Sequence, residues 1–175
     1  VIEDLSLRED ISMIQFAGAL VADGTEDLGQ AAVEVMNTES TLFKINAHKM
    51  WELGYTGYGV TCLTADTGVD PYHPSIVSQQ RASVVDQFGH AFYHDQNSEY
   101  SFDCGDHGTH VTGTILGLDR LEDDTIGVAF NGQWMGAAVL CGIGTADNVD
   151  AFEWAMDPDN DPNTVDDMPA FINNS

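Results

Sequence analysis

Two residues stand where chemistry is most easily built. Asp66 follows the short apolar run Val60-Thr-Cys-Leu-Thr-Ala65 and opens Asp66-Thr-Gly68; His107 opens His107-Gly-Thr-His-Val-Thr-Gly113, with Asp106 before it and Gly108 after. A carboxylate at a strand terminus can hold the Nδ1 proton of an imidazole and stabilise the imidazolium, which leaves Nε2 to take a proton from a nucleophile. Asp-Thr-Gly by itself is more often a plain turn than a site. His-Gly-Thr-His followed by Val-Thr-Gly-Thr is far more specific, and Gly108 removes a side chain that would crowd a substrate or the neighbouring strand.

For these groups to meet, the chain must bring a strand end and a helix start together. Val60 to Ala65 has the length and composition of a buried parallel strand that delivers Asp66 to its C-terminal end. Before it, Ile45 to Leu53 shows apolar residues at helical spacing and stops at Gly54, which suits a C-terminal cap. After it come a helix from His107 with small residues at 108, 113 and 117, an acidic loop from Asp119 to Thr125, a second inner strand within Gln133 to Cys141, and a helix from about Asp147 to Met156. Pro169 to Ser175 begins like a third strand. Alternation of strand and helix predicts an α/β fold with a mostly parallel sheet.

Composition narrows the function classes. Five Lys and Arg against 29 Asp and Glu give a formal net charge of −24, and 43% of the residues are hydrophobic. That balance suits a folded domain and argues against nucleic acid and anionic membranes as partners, because both are bound through clustered Lys or Arg. Cations, basic segments and neutral substrates remain compatible. The longest apolar stretch, Ile11 to Ala22, is interrupted by Ser12 and Gln15 and is too short to cross a bilayer. Cys62, Cys104 and Cys141 are too few and too scattered for a disulfide framework or a paired zinc motif, and Cys62 reads as a core residue.

From about residue 41 to 175 the chain resembles the subtilisin-like serine peptidases, in the bacillopeptidase F-like branch. The resemblance rests on Tyr55-Thr-Gly57 leading into Asp66-Thr-Gly68, on Asp70 and His73-Pro74, and on His107-Gly-Thr-His-Val-Thr-Gly113. It continues through Gly127-Val-Ala-Phe130, Gln133-Trp134 and Phe171-Ile-Asn-Asn-Ser175. It implies a three-layer fold and a serine endopeptidase that hydrolyses proteins through an Asp-His-Ser triad, with Asp66 as the triad aspartate and His107 as the general base. His110 would be a packed, hydrogen-bonded structural residue. Ser175 would open the strand that lines the substrate cleft and pairs with peptide backbone. The likeness further implies a secreted, monomeric enzyme whose partners are protein substrates and its own propeptide, with no cofactor needed for catalysis. Residues 1–14 read as the end of that propeptide, 15–40 as a linker and maturation junction, and 41–175 as the N-terminal half of the catalytic domain.

The chain also departs from the family pattern. None of its nine serines stands in a Gly-Thr-Ser-x-Ala turn, so the nucleophile and the oxyanion asparagine are expected beyond Ser175 and residues 1–175 alone are expected to be inactive. Phe130 stands where the family usually has Pro, and Ser75 where it often carries a calcium-binding Asp. Elsewhere, Asp157, Asp159, Asp161 and Asn163 have the alternating oxygen spacing of calcium loops, with Asp166 and Asp167 nearby. Pro162 and Met168 replace the Gly and Glu of an EF-hand. A solvated acidic loop is the simpler reading, with structural calcium as the alternative. His90 and His94 read as part of an irregular loop, and Met50, Trp51, Trp134 and Trp154 as core or cleft-edge packing. Two other functions fit the residues: a non-catalytic peptide-binding module, and a metal-dependent hydrolase built from His107, His110, Asp66 and Cys104.

Overall fold

The computed structural model describes residues 38–82, 90–94, 100–142 and 148–175. The propeptide end (1–14), most of the 15–40 linker and the Ile11 to Ala22 stretch lie outside them. No helix among the described residues is long and apolar enough to cross a membrane.

The central strand is β1, Thr61–Asp66, buried on both faces. It carries β-branched and small residues and no charge until Asp66, the pattern of a strand covered on both sides. With β2 (Phe92–Tyr93), β5 (Gln133–Ala138) and β6 (Phe171–Asn174) it forms a sheet of order β2-β5-β1-β6 in which every pairing is parallel. The register pairs Cys62 with Trp134 and Asp66 with Ala138 on one side, and Cys62 with Phe171 and Ala65 with Asn174 on the other. A separate two-stranded ribbon joins β3 (Leu118–Asp119) to β4 (Asp124–Thr125) across the stretch expected to be an acidic loop.

Helices cover both faces. On one face Leu63, Ala65, Met135, Ala137 and Val139 pack with Ala151 and Ala155 of a helix spanning Asn148–Ala155 (here α4). On the other, Cys62 and Trp134 pack with Val69, Ile76 and Leu116, the last from the helix α3, His107–Leu116. The period-2 alternation of β1 therefore sends Leu63 and Ala65 to one layer, and Cys62, Thr64 and Asp66 to the layer of α3. Thr64 confirms the assignment, because the Thr112 hydroxyl of α3 donates to its Oγ1 at 2.9 Å in a buried contact. The α/β expectation, in three layers, holds.

Ahead of β1 the expected helix is found, but one expected core residue is not. The helix expected over Ile45 to Leu53 is present as α2 (Ala47–Glu52), and a further short helix, α1 (Ser40–Lys44), precedes it, with Asn46 in the left-handed conformation at φ 61° between them. Gly54 does follow α2 with φ 90°. Met50 is not core but half exposed, while Trp134 is fully buried. Trp51 anchors α2: its Nε1 donates to the Val128 carbonyl at 2.8 Å and its ring meets Phe130 edge-on at 5.2 Å. The phenylalanine that departs from the family pattern thus has a packing role.

Candidate active site

The site lies at the C-terminal end of the sheet, where a parallel α/β layer places its strand ends and helix starts together. Asp66 is the last residue of β1 and is completely buried; His107 is the first of α3 and keeps about 32% of its side chain exposed. Their side chains meet, with His107 Nδ1 2.7 Å from Asp66 Oδ1. The same oxygen accepts the Thr67 N–H at 2.7 Å. With Nδ1 held, Nε2 makes no protein hydrogen bond among the described residues. Asp66 Oδ2 is buried and likewise has no partner among them, a cost that functional sites are known to carry.

Close approach of α3 to the β1 end makes this contact attainable. A Cβ at Gly108 would collide with the Gly68 carbonyl and lie 3.1 Å from Asp66 Cβ. Gly68, at φ 102°, is itself pressed against the Phe102 carbonyl. These two glycines let backbone pass backbone where any side chain would push His107 away.

A brace that the sequence reading missed fixes the pair. Asp103 accepts four hydrogen bonds: Thr67 Oγ1 (2.6 Å) and the Gly105 N–H (3.0 Å) on Oδ1, and Thr109 Oγ1 (2.6 Å) and the Thr109 N–H (2.8 Å) on Oδ2. Thr67 Oγ1 in turn accepts the Gly108 N–H at 2.9 Å. One carboxylate therefore ties the residue after Asp66 to the first turn of α3. Burial pushes the Asp103 carboxyl up, but the hydrogen bonds from Thr109, Thr67 and Gly105 outweigh it and hold the group below its ordinary value. The signal was visible as an Asp four residues before His107, but nothing in the spacing said which groups it would meet.

A disulfide between Cys104 and Cys141 adds a covalent tie across the same end of the sheet. Three cysteines make no framework, but the parallel sheet brings two distant loops together and lets one pair bond. Cys62 is buried as expected, and burial pushes its thiol up to about 12. The disulfide consumes the Cys104 thiol that a metal-dependent hydrolase would use. His110, expected to be packed, is exposed: it lies on a different face of α3, where it lines a cavity of about 370 Å³ with Asp70, His73 and Asp106. Ser175 follows β6, the edge strand of the sheet among the described residues. One step beyond the Ala65 and Asn174 pair sets it level with Asp66, and its hydroxyl accepts from Asn173 Nδ2 at 2.7 Å. It makes no hydrogen bond to Asp66 or His107 among the described residues. His90 and His94 flank β2 and do not share a helix face.

Comparison with known proteins identifies the family. The model of the subtilase family matches residues 57–175. Bacillopeptidase F of Bacillus subtilis (strain 168) is 34% identical over 142 residues, covering 75% of this chain and 10% of that protein. The minor extracellular protease Vpr of the same strain is 32% identical over 114 residues, 60% of this chain and 13% of Vpr. Neuroendocrine convertase 2 of Homo sapiens is 30% identical over 102 residues, 55% of this chain and 15% of the convertase. The chain thus spans only 10 to 15% of the length of these relatives. With the family match running through β1, α3, β5 and β6, the chain belongs to the subtilase family of serine peptidases.

Proposed function

We propose that this chain supplies the aspartate and histidine of a serine endopeptidase, with Asp66 as the orienting carboxylate and His107 as the general base. The observation that carries the reading is the 2.7 Å contact between His107 Nδ1 and the buried Asp66 Oδ1. With its Nδ1–H donated to Asp66, the ring presents the Nε2 lone pair outward. Nε2 takes the proton of a serine hydroxyl as its Oγ bonds to the peptide carbonyl carbon, and Asp66 stabilises the imidazolium. That proton then passes to the leaving amine as the C–N bond breaks; water, deprotonated by the same nitrogen, releases the acyl group. The serine and the oxyanion donor come from sequence beyond Ser175, so residues 1–175 are inactive alone.

The remaining expectations belong to the same reading. Residues 41–175 form the N-terminal half of the catalytic domain, 1–14 the end of a propeptide and 15–40 the junction where it is removed. Ser175 opens the segment that lines the cleft and pairs with extended substrate backbone. Likeness to an extracellular protease supports secretion. The test is labelling of the native protease with a serine-directed fluorophosphonate. Labelling that inhibits hydrolysis and is lost in His107→Ala supports the proposal; hydrolysis that survives the phosphonate but stops on chelation overturns it in favour of a metal enzyme.

A further inference from the structure

The connection from α4 to β6 carries five aspartates, at 157, 159, 161, 166 and 167. It folds back so that the Asp159 N–H donates to Asp167 Oδ2 at 3.1 Å, while the Asp161 N–H (2.8 Å) and the Thr164 hydroxyl (3.0 and 3.1 Å) hold the Asp159 carboxylate. One carboxylate oxygen from each of Asp157, Asp159 and Asp167 then lies within 4.8 Å of the others. Like charges at about 4 Å repel by about 1 kcal/mol even in bulk water, and more when partly buried.

Acidic clusters are common, but this one contains buried oxygens without donors. Asp167 is only 8% exposed, and its Oδ1 is buried with no hydrogen-bond partner among the described residues; Oδ1 of Asp157 is in the same condition. Arg81, which reaches this segment, is bonded to the Asp166 backbone carbonyl and to Gln133. A cation would satisfy the orphan oxygens and cancel the repulsion together.

We propose that Asp157, Asp159 and Asp167 bind a calcium ion. The side-chain donors are all carboxylate oxygens, which suits a hard cation over zinc or copper. They sit on an irregular turn, which suits the flexible coordination of calcium over the strict octahedron of magnesium. The ion joins the residue just past α4 to one just before β6, and so fixes the entry to the strand beside Asp66. This rests on the loop alone and holds whether or not the chain is part of a peptidase.

The experiment is calorimetric titration of the EDTA-stripped protein with Ca²⁺ in excess Mg²⁺, with thermal unfolding in parallel. One saturable site with Kd at or below about 1 mM is expected. Asp167→Asn and Asp157→Asn should each weaken it roughly tenfold or more, whereas Glu122→Gln, which removes an equal charge from the exposed β3–β4 turn, should leave it within about twofold. In EDTA both aspartate variants should melt higher than the parent, and in saturating Ca²⁺ lower. Should Asp167→Asn fail to fold, the less buried Asp157→Asn carries the test. Unsaturable binding, binding that the aspartate variants leave unchanged, or equal saturation by Mg²⁺ overturns the proposal.

Discussion

Replacing Cys104 and Cys141 together by serine should destabilise the protein by about 4 kcal/mol. The disulfide spans 37 residues, and closing a loop of that length lowers the entropy of the unfolded chain by about 13 cal/mol/K, or roughly 4 kcal/mol at 25 °C. The loop encloses α3, the β3–β4 ribbon and β5, so the bond restrains the segment that carries His107 relative to β1. Cys104 already donates its N–H to the Thr67 carbonyl at 3.0 Å, which keeps the native position without the bond; the loss should therefore come from the unfolded state. Urea unfolding followed by the fluorescence of the buried Trp134 is the assay. With m about 2 kcal/mol/M, the midpoint should fall by about 2 M in the double variant. Cys62, with its thiol pushed up to about 12, should not exchange into the bond. A fall of less than about 0.5 M at unchanged m would refute the loop-closure argument.

Two glycines of α3 should respond in opposite directions. Gly108→Ala drives a Cβ into the Gly68 carbonyl and should cost about 1–3 kcal/mol, with activity down about a hundredfold as His107 shifts from Asp66. Gly113→Ala meets nothing within 4 Å among the described residues and should stabilise by about 0.5–1 kcal/mol; equal effects in urea unfolding would contradict the packing argument. Asp103 is held below the ordinary carboxylate value of about 3.9. Its contribution to stability is thus complete above about pH 4 and is lost as the pH falls through the lowered value. Thermal midpoints measured from pH 5 to 2 should drop more steeply for the parent than for Asp103→Asn, and parallel curves would refute the brace.

What the sequence made legible follows from local rules. Val60 to Ala65 reads as a buried strand because it is short, apolar and bounded by turn signals, and strand alternation then aims Asp66 at the layer of α3. His107 to Gly117 reads as a close-packed helix from its small residues, and Gly108 does press on the Gly68 backbone and Gly117 on Ile126 Cβ, whereas Gly113 meets no neighbour among the described residues. What was hidden depends on contacts between distant segments. The Cys104–Cys141 bond exists because β1 and β5 lie side by side, and cysteine spacing carries no trace of that. The Asp103 brace needs Thr67 and Thr109 to converge on one carboxylate from opposite sides. The exposure of His110 reflects which face of α3 turns toward β1: Gly108 and Thr112 are buried there, and His110 is turned away. Helical spacing over Ile45 to Leu53 located α2 (Ala47–Glu52), but spacing alone did not show that Met50 stands half exposed.

The central claim is that Asp66 acts by orienting His107 through the 2.7 Å contact. Its most direct test is the steady-state hydrolysis of a peptide substrate by the native protease and its Asp66→Asn variant, which keeps the shape of the side chain but cannot hold the same tautomer. The account predicts that kcat falls about 10⁴-fold while KM changes little. An Asp66→Asn enzyme that keeps more than about a tenth of the parent kcat would contradict it.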